Sequence, residues 1–206
     1  HLDHLFAART QFAISMAFHI IFAVYGIGLP LLMVVAELLW LRTSDSDYLE
    51  MAKRWARATG VLFAIGAVSG TVIAFELGLL WPEFMRLAGP VIGMPFSMEG
   101  FAFFIEAIFL AVYLYAWEKV PPIAHWLSGI AVAISSVLSG IFVVDANSWM
   151  NSPRGLVLVN GTPAAVHPLL AMLNPFASTE IPHMVLAAYI AVAFGVAAIY
   201  AFSLLR

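Results

Sequence analysis

Two glutamates stand in an otherwise apolar run, SMEGFAFFIEA, at positions 99 and 106. Seven residues are close to two turns of an α-helix, so Glu99 and Glu106 share one face, about 10 Å apart along the axis. Carboxylates placed this way could pass protons along a dry path or flank a buried centre. The alternative is a pair of neutral acids hydrogen-bonded between helices. His19 in SMAFHIIFAVYG and His183 in EIPHMVLAAY have similarly apolar surroundings. A histidine there can bridge helices, carry a proton or ligate haem iron from an axial position. Glu76 in VIAFELGLLW is a third carboxylate, whereas Glu37, nearer a helix end, could snorkel to the surface. His1, His4, His125 and His167 fall in tails or loops and are expected to be solvated.

The elements that position these groups follow from composition. Of 206 residues, 63% are hydrophobic and 10% charged, against roughly 25% charged in an ordinary globular domain. Too little polar surface remains to cover a soluble body, so a bilayer is the expected solvent. A spanning helix needs about 20 mostly apolar residues. Five stretches qualify, at about 12–41, 58–81, 95–117, 123–144 and 181–205. The expected fold is an all-α, polytopic transmembrane bundle, read as a single domain over 1–206. The first stretch is longer than a span needs and should tilt or project. The first apolar run lacks the flanks of a signal peptide and is too long for one. Segment 146–180 holds Pro153, Pro163, Pro168 and Pro175 with Gly155 and Gly161. It is too interrupted to span and is expected to lie along the membrane surface or against other helices.

Charge sets an expected orientation. Arg42, Lys53, Arg54, Arg57, Lys119 and Arg206 fall on one side, and Arg9, Arg86 and Arg154 on the other. The positive-inside rule then places the amino terminus outside and the 41–57 loop in the cytoplasm. A net charge of −3 with no basic stripe argues against nucleic acid. The absence of cysteine excludes disulfides, thiolate metal sites and iron–sulfur clusters, and any haem would be held non-covalently. Gly66 and Gly70 have the small-xxx-small spacing of close helix packing. Ser135, Ser136 and Ser139 could bond across helices or line a polar path.

Several stretches together resemble subunit I of the cytochrome bd-type quinol oxidases: RTQFAISMAFHIIF (9–22), ATGVLFAIGAVSGTVIAFELGLLW (58–81), MEGFAFFIEAIFLAVYLYAWEKV (98–120) and DANSWMNSPRG (145–155). The resemblance runs in order through nearly the whole chain. It implies a multi-pass protein of a prokaryotic cell membrane, part of a complex that oxidises quinol and reduces oxygen to water. It also implies three haems: a low-spin b, a high-spin b and haem d. By this resemblance His19 is an axial ligand of a high-spin haem, and His183 that of the low-spin b haem. Glu99 and Glu106 lie on the proton route to the oxygen-reducing haem, with Ser139 and Asn147 as helpers. Arg9 and Trp81 lie near the haems.

A carboxylic acid in a dry site can hold a proton near neutral pH and pass it on, which suits that route. The family's subunit is about twice this length, with nine helices. The second ligand of the low-spin haem (a methionine), a glutamate ligand and the quinol loop belong to the unmatched half. Met184 follows His183 directly and points elsewhere on its helix, so it is not expected to ligate the same iron. Glu76 stands where some members carry an amide. The implied partners are quinol, oxygen, lipid, the remaining half of subunit I and a second membrane subunit. Two other readings stay open on the residues: a degenerate haem-binding or assembly relative, and a small proton or cation channel. The repeats and broken helices of a transporter are not evident.

Overall fold

A computed structural model describes the backbone of residues 2–205 and the side chains of 3–205; His1 and Arg206 lie outside the described residues. Among the described residues, five helices are long and apolar enough to cross a membrane. They are α1 (Leu2–Thr43), α2 (Ser46–Leu80), α3 (Pro82–Tyr115), α4 (Pro122–Asn151) and α6 (Ala177–Leu204). Between α4 and α6 lie a two-stranded hairpin, β1 (Leu156–Val159) and β2 (Thr162–Val166), and the short helix α5 (Pro168–Met172).

The punctuation is local and chemical. α1 ends where Ser44 turns to a positive φ of 59°. Asp45 then caps α2, its carboxylate accepting from the Asp47 amide at 2.9 Å. Pro82 and Pro122 open α3 and α4 at a position where the missing amide costs no hydrogen bond. The hairpin turns on Asn160 and Gly161, both at positive φ, which suits a tight primed turn. Gly155, at φ 71°, has no room for a side chain: a Cβ would lie 2.5 Å from the His167 carbonyl oxygen. Asn174 caps α6 by accepting from the Phe176 and Ala177 amides, while its own amide donates to Ser148 Oγ on α4.

The helices exceed the expected spans. α1 has 42 residues, about 63 Å of rise against a hydrocarbon core of about 30 Å. α3 begins at Pro82 and runs through Pro90 and Pro95, whereas the sequence reading starts it near 95. Proline is tolerated in such helices when neighbours satisfy the freed backbone groups. Glu99 therefore sits at the middle of α3 and not near its start. α4 likewise continues to Asn151, absorbing the first residues of the segment expected to be irregular.

Successive long helices alternate in direction, so the bundle has two ends. The hairpin end gathers the start of α1, the α2–α3 junction, the β-hairpin and the start of α6. The opposite, loop end gathers residues 44–45 and 116–121. Each end has a packed core. At the loop end Met33, Val34, Ala56, Leu110, Tyr113 and Val132 pack with Trp55, Trp117 and Trp126 around them. At the hairpin end Ala88, Val91, Ile92, Ala146, Trp149 and Ala171 pack under the hairpin, and Trp149 Nε1 donates to the Arg154 carbonyl. Large apolar side chains such as Phe75, Leu79, Phe101 and Phe194 face outward, as expected of surfaces that meet lipid or further helices.

Candidate functional site

The polar groups gather in seams between helices. In the α1–α2 seam, Gln11, Ser15 and His19 stand four residues apart and so share one face of α1. Glu76 on α2 is 6% exposed. Its Oε1 accepts from Gln11 Nε2 at 3.0 Å and Ser15 Oγ at 2.9 Å. Its Oε2 has no partner among the described residues. One turn-pair away, His19 Nδ1 lies 2.9 Å from Ser69 Oγ. Trp81, at the α2–α3 junction, meets Phe12 of α1 edge to face. Gly66 and Gly70 let the two helices approach, with Phe22 over Gly66 and His19 over Gly70.

His183 is on α6 and exposed, and neither ring nitrogen makes a hydrogen bond among the described residues. α6 runs in the same direction as α1, and the two touch where Val192 covers Gly28. His19 and His183 each lie nine residues before that contact, so both sit about 13 Å from it toward the hairpin end. Met184 is turned away from His183's direction, with its thioether against Gly140 of α4.

Glu99 and Glu106 face the α3–α4 seam. Ser139 Oγ donates to Glu99 Oε1 at 3.1 Å. Glu106 is buried, at 5% exposed. Ser135 and Ser136 are buried too, but their hydroxyls donate to carbonyls of their own helix. Asn147 is not brought to this seam: it is exposed, eight residues beyond Ser139, and accepts from Asn151. Arg9 is exposed on α1.

Two groups differ from the sequence reading. His125 is not a solvated loop residue but 1% exposed in the first turn of α4, and Glu37 is 0% exposed instead of snorkelling. His125 Nδ1 lies 2.7 Å from Glu37 Oε1, and Nε2 lies 2.9 Å from the Tyr113 carbonyl. Trp117 covers the imidazole at 3.9 Å between ring centres, and Lys53 stands over Trp117. The Pro121–Pro122 pair before His125 was the available signal, since proline favours a helix start. His4 and His167 are exposed, as expected.

The arrangement is that of a multi-pass membrane bundle with two histidines at one depth on neighbouring spans, Glu76 and Glu106 buried in adjoining seams and Glu99 partly buried beside Ser139. The family model for cytochrome bd terminal oxidase subunit I matches residues 7–206. The chain belongs to that family. It is 41% identical to a chain in the structure of bd oxidase from Geobacillus thermodenitrificans, with a TM-score of 0.94, covering 98% of this chain and 47% of that one. A provisionally named cytochrome bd menaquinol oxidase subunit I of Bacillus subtilis (strain 168) is 38% identical over 205 residues, 100% of this chain and 46% of the relative. The cytochrome bd-II ubiquinol oxidase subunit 1 of Escherichia coli (strain K12) is 30% identical, covering 99% of this chain and 40% of the relative. The chain thus spans about half the length of the curated relatives it matches.

Proposed function

We propose that this chain is the haem-carrying half of subunit I of a terminal oxidase that takes electrons from a quinol and reduces oxygen to water. One observation carries the reading: His19 and His183 lie at one depth on neighbouring helices of this family's fold, each presenting an unengaged ring nitrogen. The donor chemistry fits haem iron, for which imidazole is a common axial ligand. No cysteine competes for it. His183 would hold the low-spin b haem, and His19 a high-spin haem. The proposed set is haem b in both spin states and haem d. When bound, these groups supply the electron transfer and the oxygen binding. The rest of the work falls to the chain. Arg9 would pair with a haem carboxylate, and Trp81 would help to close the α1–α2 seam beside it.

The protons would travel along the α3–α4 seam. Glu106 and Glu99 form two steps on one face of α3, and the Ser139 hydroxyl orients the second. Asn147 would act nearer the hairpin end, away from these two. We place the amino terminus outside the prokaryotic cell membrane and the loop end in the cytoplasm. The end-to-end separation of basic residues supports this: Arg42, Lys53, Arg54, Arg57 and Lys119 lie at the loop end, and Arg9, Arg86 and Arg154 at the other. The remaining half of subunit I, a second membrane subunit and lipid would cover the outward apolar faces. The test is quinol-driven oxygen uptake by the purified complex. Uptake that stops when the quinol is withheld is expected; a haem-loaded complex that consumes no oxygen would contradict the reading.

A further inference from the structure

The Ser69 hydroxyl has one hydrogen and three oxygen or nitrogen neighbours. It lies 2.9 Å from the Ile65 carbonyl, 3.1 Å from the Gly66 carbonyl and 2.9 Å from His19 Nδ1. Both carbonyls can only accept, and they belong to the turn of α2 beneath the serine, where a helical serine ordinarily sends its hydrogen. With the hydrogen sent that way, the oxygen's lone pair faces His19 and the Nδ1–H tautomer makes the bond; the Gly66 carbonyl, which can only accept and also bonds this imidazole, favours the same tautomer. In neutral imidazole this leaves the lone pair on Nε2. The ring is also held in place. A Cβ on Gly70 would lie 3.0 Å from His19 Cε1, so the imidazole edge rests directly against the α2 backbone. Ser69 is 9% exposed, shielding this hydrogen bond from competing water.

We propose that Ser69 is a positioning residue for the haem site: it fixes the Nδ1–H tautomer and ring plane of His19, so that Nε2 is presented to iron. The inference rests on the reading of His19 as an iron ligand. A hydrogen bond from the distal ring nitrogen orients a ligating histidine and raises its basicity, and losing it costs about 10- to 100-fold in metal affinity.

The experiment uses the purified intact complex, with haem retention, the reduced-minus-oxidised spectrum and the midpoint potential of the high-spin haem as readouts. Ser69→Ala keeps the imidazole but removes its side-chain acceptor, leaving only the Gly66 backbone. High-spin haem retention is expected to fall about 10- to 100-fold, with the midpoint potential moving upward as the ligand becomes less basic. Ser69→Thr restores the hydroxyl and is expected to return both to wild type. If Ser69→Ala does not assemble, Ser69→Cys offers a weaker acceptor of similar shape and is expected to give an intermediate upward shift. Wild-type retention and potential in Ser69→Ala, or in Ser69→Cys where that variant is used, would overturn the role of Ser69, provided His19→Ala still removes a high-spin band. Unchanged haem bands in His19→Ala would instead overturn the ligand reading beneath it.

Discussion

At the scale of single residues, the informative groups are those whose polarity conflicts with their surroundings. A charged side chain at mid-bilayer costs at least about 2.5–3.5 kcal/mol on insertion scales, so such groups persist where protein or function compensates. Glu99, Glu106, His19 and His183 were legible for this reason. Their partners were less so. Ser69, Ser15 and Gln11 are ordinary polar residues until α1 and α2 are placed side by side. Glu106 offers the sharpest residue-level prediction. Glu106→Gln preserves shape and polarity but cannot release a proton. We expect haem content to stay at wild type while quinol-driven oxygen uptake falls about 100-fold or more, within the range for a positioned acid–base group. Parallel haem extraction and oxygen-electrode traces check it, and wild-type turnover would remove Glu106 from the relay.

At the scale of elements, the loop end is fastened by a buried pair. Glu37 of α1 and His125 of α4 meet at 2.7 Å, and His125 also reaches the Tyr113 carbonyl of α3. Three helices thus converge on one imidazole. Removing either partner breaks their shared hydrogen bond at a buried site, while His125 keeps the Tyr113 carbonyl, a loss of about 1–3 kcal/mol. Glu37→Ala and His125→Ala are each expected to lower resistance to denaturation by that order, and the double variant by less than their sum. Denaturant titration of the detergent-purified complex, followed by loss of helical circular dichroism, measures it. Full additivity would deny the coupling. This pair was hidden from a linear reading because Glu37 lies close to a helix end and His125 follows two prolines. Nothing local says that the two come together across 88 residues. Helix boundaries failed for a related reason. Pro90 and Pro95 suggest an interruption, yet α3 passes through both because its neighbours support the backbone.

At the scale of the whole molecule, the bundle follows from composition, and its five long helices match the five apolar stretches in number and order. Among the described residues no long apolar helix lies between α4 and α6, although both helices reach into segment 146–180, and the hairpin there is not evident from the sequence. The Asn160–Gly161 turn signal is present, although Pro163 inside β2 argues against a strand and the pairing is irregular there. Orientation can be tested cleanly because the chain has no cysteine. Cysteines introduced singly as Asp47→Cys and Thr162→Cys lie at exposed positions of opposite ends. In intact cells an impermeant thiol reagent is expected to label Thr162→Cys and spare Asp47→Cys; the reverse pattern would invert the proposed topology.

Under the proposed function, this half of the subunit holds haem through its two membrane histidines, His19 and His183. The most direct measurement is the dithionite-reduced minus oxidised visible spectrum of the purified complex, wild type beside His183→Ala, with haem extraction on both. The wild type is expected to show b- and d-type bands. His183→Ala is expected to lose the low-spin b signal selectively, with the protein still in the membrane. An unchanged low-spin spectrum in His183→Ala, or a wild type devoid of haem, would contradict it.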